Sequence, residues 1–129
     1  MDKDLIGSPK DSWINIDTSS NHEKFIELID IINKDIEHIY KGGGEIAIEK
    51  QHSKGKMTAR ERINYLIDNN SFFNEIGKFA AYNMYSDYGD INAAGVIVGA
   101  GDINKQKCIV IANDATVKAG AYFEVTLKK

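Results

Sequence analysis

Hydrophobic positions along this chain change their spacing near the middle. From residue 20 to residue 40, Phe25, Leu28, Ile29, Ile32, Ile36, Ile39 and Tyr40 recur every three or four places. That is one stripe of an amphipathic helix. Ser20-Asn-His-Glu23 has capping-box spacing ahead of it, and Gly42-Gly43-Gly44 supplies a stop, since glycine takes up left-handed C-terminal geometry without penalty. Glu45 to His52 forms a short helical segment, and Ser53-Lys-Gly-Lys56 is a basic loop. Thr58-Ala-Arg-Glu61 is a second capping box. It opens a helix to about Ile67 with Ile63, Leu66 and Ile67 on one face.

After the turn cluster Asp68-Asn-Asn-Ser71 the pattern becomes that of strands. Phe72 to Ile76 reads as a strand, which Phe79 to Met84 extends. Tyr85 to Asn92 is a polar loop. Ala94 to Gly101 is a strand of small residues, Asp102 to Lys107 a hairpin turn, and Cys108 to Ala112 a returning strand. Glycines at 95, 99 and 101 imply close backbone approach. Gly99-Ala-Gly101 does not complete a dinucleotide-binding fingerprint, because a hairpin strand follows it where a helix is required. The returning strand hands over to Asn113-Asp114 and a loop of small residues with one cation, Lys118-Ala119-Gly120-Ala121. The expected architecture is α+β: N-terminal helices, then an antiparallel sheet. Residues 1–20, which hold Trp13, Ile14 and Ile16 without a sustained period, read as a peripheral arm, and residues 21–129 as the body.

Composition narrows the possibilities. Of 129 residues 43% are hydrophobic and 27% charged, which fits one modest folded domain. A net charge of −3 argues against nucleic acid or an anionic membrane as a whole-surface partner. No run approaches the length of a membrane span, and the N-terminus lacks the basic start and apolar core of a signal peptide. The single Cys108 allows no intrachain disulfide, in keeping with a cytoplasmic protein, and its place in an apolar run reads as small core packing. His22, His38 and His52 are too dispersed to ligate one metal.

Three long segments, in order and in register, resemble one family. They are Gly42 to Asp68, Ala93 to Gly101, and Ile111 to Phe123. Together they are similar to the N-terminal part of the carboxyltransferase (beta) subunit of biotin-dependent acyl-CoA carboxylases, whose relatives act on propionyl-CoA, methylcrotonyl-CoA or, in sodium-pumping decarboxylases, glutaconyl-CoA. The resemblance implies a crotonase-like fold, here partial. It implies carboxyl transfer between carboxybiotin and the alpha carbon of an acyl-CoA, with backbone amides stabilising the oxyanions. No catalytic side chain and no metal is implied. Biotin would arrive on a carrier domain and would not be attached here. The implied partners are a biotin carboxyl carrier and biotin carboxylase component, the rest of the carboxyltransferase subunit, and further copies of that subunit in a homo-oligomer.

Two features depart from the family pattern. Glu124 stands where the family has proline. The chain also ends at Thr126-Leu-Lys-Lys129, where a helix and further strands are expected. A fragment lacking the Gly-rich oxyanion motif and the biotin-side half is therefore expected, inactive on its own. The alternative is a non-catalytic polypeptide serving as an interaction or assembly module. For acyl-CoA the candidate contacts are Lys118, Ala119, Gly120 and Ala121, with Lys56 and Arg60 near the second capping box for phosphate. The plainer reading of Lys54, Lys56, Arg60 and Arg62 is a solvated face or ion pairs with Glu49 and Glu61. Asn113 and Asp114 are expected to bond nearby amides, as short polar side chains do in turns.

Overall fold

A computed structural model describes residues 18–129, and the first 17 residues, with Trp13 and Ile14, lie outside the described part. Of the described residues, 18–34 and 35–129 belong to separate compact units. Helix α1 (Thr18–Tyr40) begins two residues before Ser20, so Ser20 lies inside the helix rather than at its start. An apolar stripe with no partner in the chain is expected to stay incompletely buried at Phe25, Ile32, Ile36 and Ile39; Phe25 is 62% exposed and Ile32 47% exposed. Ile36 is half-buried, and Ile39 departs from that expectation: it is fully buried in the second unit. Gly42, at φ 55°, ends the helix as expected.

Helix α2 (Glu45–His52) and helix α3 (Ala59–Leu66) follow. The capping box of α3 is complete: the Thr58 hydroxyl accepts from the Glu61 amide at 3.3 Å, and the Glu61 carboxylate accepts from the Thr58 amide at 2.7 Å. The sheet has three antiparallel strands in the order β1 (Asn74–Ile76), β2 (Val96–Ile103), β3 (Gln106–Asn113). Residues 104 and 105 both have positive φ and close a two-residue hairpin. Neither is glycine, and the Asp68 carboxylate accepts both of their amides, at 2.8 and 2.6 Å, which holds the turn.

Two strand expectations are corrected. Phe79 to Met84 is a succession of tight turns. Gly77, Ala81 and Asn83 have positive φ, and residues 80, 82 and 84 donate to carbonyls three places back. Residues 92–95 form a 3-10 turn with positive φ at Ala93, Ala94 and Gly95, so β2 starts only at Val96. A backbone with those torsions cannot join a ladder, whatever the side chains prefer.

The sheet faces are unequal. Ile97, Val110 and Ala112 pack on Ala59, Ile63 and Ile67 of α3 and its exit. Phe73 crosses the same face at Gly99 and Gly101, and a β-carbon on Gly99 would lie 2.5 Å from the Phe73 ring, so the strand glycines serve close packing. Cys108 shares this face and is half-buried rather than fully enclosed, because it sits beside the open hairpin end. On the opposite face Ile76, Val98 and Ile111 are cross-strand neighbours, and Ile109 lies beside them. Ile111 is 71% exposed and Ile109 65% exposed. A second small core gathers Ala81, Ile91, Ala94 and Val117 beneath Tyr85 and Phe123.

Candidate functional site

The loop after β3 is fixed by polar side chains that replace the missing ladder. Asp114, almost fully buried, accepts from the Thr116 amide at 2.9 Å and from its hydroxyl at 2.6 Å. Thr116 Oγ1 in turn accepts from the Gly43 amide at 3.0 Å, and the Asn92 side-chain amide donates to Gly42 O at 2.7 Å. Segments 42–44, 92 and 114–116 are thereby tied together although they are distant in sequence. Asp114 bonds a local amide as expected. Asn113 acts in the opposite sense, since its side chain donates to the Gly120 carbonyl at 3.1 Å.

A recess of about 690 Å³ opens beside this junction. Its wall carries Gly42, Gly43 and Gly44, the lysines at 41, 50, 54 and 118, and Ala115, Thr116 and Ala119. Its single acid, Asp90, is bonded to His38 at 2.9 Å. Lys118 and Ala119 both have positive φ, so the backbone bends sharply where it borders the recess.

The structure divides the expected site residues among several places. Lys118 and Ala119 line the recess. The Gly120 and Ala121 amides donate inside the turn, to Val117 O at 2.9 Å and Lys118 O at 3.1 Å. Lys56 borders a separate opening with Arg62 and residues 113–116. The Arg60 guanidinium forms a two-pronged pair with Glu75, at 2.8 and 3.1 Å, and lies over the Tyr40 ring. The ion pairs expected with Glu49 and Glu61 are replaced by Glu75 for Arg60 and by His52 for Glu61, the latter at 2.9 Å. Lys41, Lys50, Asn92 and Thr116 were missed by the sequence reading. Three glycines directly after Lys41, with Lys50 near the end of the short segment that follows, were the available signal.

Among the described residues no group of acids, cysteines and histidines is arranged to hold a metal ion. Among the described residues the only buried side-chain polar atom without a partner is Arg60 Nε. It belongs to a guanidinium already engaged by Glu75. Among the described residues no helix is long and apolar enough to cross a membrane.

This architecture recurs in solved structures of acyl-CoA carboxyltransferases. The transcarboxylase 12S crystal structure with methylmalonyl-coenzyme A bound superposes with a TM-score of 0.71 at 36% identity, covering 78% of this chain and 20% of that one. The beta subunit of P. aeruginosa geranyl-CoA carboxylase shares the fold, with a TM-score of 0.75 at 23% identity over 99% of this chain and 22% of its own. The sequence model of the carboxyl transferase domain matches residues 50–129, and the chain belongs to that family. The probable methylcrotonoyl-CoA carboxylase beta chain of Drosophila melanogaster is 39% identical over 109 residues, 84% of this chain and 19% of the relative. The methylmalonyl-CoA decarboxylase subunit alpha of Veillonella parvula is 35% identical over 105 residues, 80% of this chain and 21% of its own. The chain thus spans about a fifth of the length of these relatives.

Proposed function

We propose that this chain is the N-terminal, acyl-CoA-side portion of a biotin-dependent acyl-CoA carboxyltransferase, a cytoplasmic protein. The complete enzyme moves a carboxyl group between carboxybiotin and the alpha carbon of an acyl-CoA. The observation that carries this reading is the family match over residues 50–129, which includes β2, β3 and the whole loop from Asn113 to Ala121. Further support comes from the likeness to a transcarboxylase whose structure holds methylmalonyl-coenzyme A. In this reading Lys118 and Ala119 border the substrate, while Gly120 and Ala121 shape the turn that presents them. Lys56 supplies positive charge from the neighbouring opening. Arg60 contributes less, because Glu75 already holds its guanidinium. Biotin comes on a carrier component, and further parts of the carboxyltransferase and further subunits complete the site.

The test is to titrate these 129 residues with propionyl-CoA and methylcrotonyl-CoA by calorimetry, and to assay carboxyl transfer to each from N-carboxybiotin. Binding without transfer is expected. Transfer by the chain alone, or failure to bind any acyl-CoA, would overturn the reading.

A further inference from the structure

We infer that the exposed part of helix α1 docks on α1 of a second copy of this chain, through a coiled-coil seam centred on Phe25, Ile29 and Ile32. The spacing carries the argument. Phe25, Ile29, Ile32, Ile36 and Ile39 follow one another at intervals of four, three, four and three residues. That is a heptad repeat, with Ile29 and Ile36 at position a and Phe25, Ile32 and Ile39 at position d. The C-terminal end of the seam is already occupied, since Ile39 is buried and Ile36 half-buried. The N-terminal end is open. Phe25, Ile29 and Ile32 are exposed there, and so are the residues that flank them, Ile26 at position e and Leu28 at position g.

The charges lie on the other side of the helix. From residue 22 to residue 34, Glu23, Lys24, Glu27, Asp30 and Lys34 all occupy positions b, c or f, and no Asp, Glu, Lys or Arg stands at a, d, e or g. Charges at e and g are what steer a coiled-coil helix toward an unlike partner or set it against its own kind. Without them two identical helices meet with no like-charge contact, and each brings the apolar knobs that the other's holes require. The occupant that fits is therefore the same helix from another copy. The open seam is only about 20 Å long, so the contact is weak and depends on concentration. It lies ahead of residue 50, where the match to the carboxyl transferase domain begins, and so adds a surface outside that match.

Sedimentation equilibrium from dilute to concentrated solution tests this. The parent is Ile109→Thr/Ile111→Thr, which removes the apolar outer face of the sheet as a second cause of association. Its mean mass should rise toward that of a dimer as concentration increases. Ile29→Lys in the same parent should stay at the mass of one chain, because two ammonium groups would meet across the seam. Ile29→Glu should do the same. An equimolar mixture of the two should recover the dimer, since each copy then meets the opposite charge. Ile31→Lys, at position c and also exposed, should dimerise as its parent does. Circular dichroism checks that each variant is folded, and the mixture keeps the test decisive where a single charge loosens the helix. A parent that remains monomeric, an Ile29→Lys variant that still dimerises, an equal loss in Ile31→Lys, or a mixture that stays monomeric would each overturn the inference. None of these results bears on acyl-CoA binding, so the proposed function stands or falls separately.

Discussion

The amide of Gly43 donates to Thr116 Oγ1 at 3.0 Å, and a β-carbon on Gly43 would sit 1.8 Å from the Thr116 carbonyl oxygen. This contact closes the recess at its base by joining the entry of α2 to the loop after β3. No side chain fits between them, so the backbones must part if Gly43 is replaced. Gly43→Ala should cost about 2 kcal/mol, as overpacking of a tight contact does. It should also weaken ligand binding in the recess, because the wall opens. Thr116→Val keeps the volume but leaves the Gly43 amide and the Asp114 carboxylate short of a partner, a loss of about 1–3 kcal/mol. Urea unfolding followed by circular dichroism measures both.

Glu75 and Arg60 form the best-enclosed ion pair among the described residues, with the Glu75 side chain 4% exposed and that of Arg60 21% exposed. Burial makes removal of one partner costly, because the other charge stays behind in a low-dielectric site. Glu75→Ala should destabilise the chain by about 3 kcal/mol, and Arg60→Lys should recover little, since an ammonium cannot make the two-pronged contact. Thermal unfolding of the two variants tests this. Equal melting temperatures for wild type and Glu75→Ala would show the pair to be unimportant.

What could be read in the sequence was what depends on near neighbours. Helix α3 was legible because Thr58 and Glu61 carry its start and Ile63 its buried face. The hairpin of β2 and β3 was legible because two apolar runs flank a polar turn. Phe79 to Met84 misled because aromatic and apolar residues suggest a strand, whereas positive φ at Gly77, Ala81 and Asn83 forces turns, and Ala81 gives no local warning of it. The recess was illegible for a different reason. Its walls come from residues near 42, 50, 92 and 116, and the bonds that join them span up to 73 positions. Gly42–Gly44 was read as a helix stop. It is that, and Gly43 is also the point where a second backbone passes. Glu124, which broke the family pattern, occupies the first position of helix α4 (Glu124–Lys128). Proline suits that position for its fixed φ and glutamate for its charge against the helix dipole, so the substitution leaves the helix start intact.

Acid should act first at α3. A hydrogen bond from His52, and then the Thr58 amide, hold the Glu61 carboxyl below its ordinary value of 4.5. Lys107, and then Ser71, likewise hold Asp102 below its ordinary 3.8. A carboxyl whose pKa is lowered by folding adds stability that is fully present above its unfolded value and is lost as pH falls through the folded one. Stability should therefore decline from about pH 4.5 downward, with Glu61 contributing first. Glu61→Gln should flatten the upper part of that decline and leave the Asp102 part, as urea midpoints measured between pH 3 and 6 would show. An unchanged pH profile in Glu61→Gln would contradict this account.

The outer face of the sheet makes the last prediction. Ile76, Ile109 and Ile111 stand 51%, 65% and 71% exposed, and Val98 is half-buried between Ile76 and Ile111. Strand β3 is moreover an edge strand, with one side of its backbone unpaired within the sheet. An apolar β-branched face beside an open edge invites another apolar layer or another strand, and in water it promotes self-association. The same observation favours the second reading of this chain, an assembly module. The chain should bind a hydrophobic dye at its native pH and should sediment as larger species when concentrated. Ile109→Thr/Ile111→Thr should reduce both effects. Its melting temperature should stay close to that of the wild type, because these side chains contribute little buried area and threonine keeps the β-branched shape. If the double variant instead unfolds several degrees lower, the face is already covered in solution and these isoleucines are core residues of the chain itself.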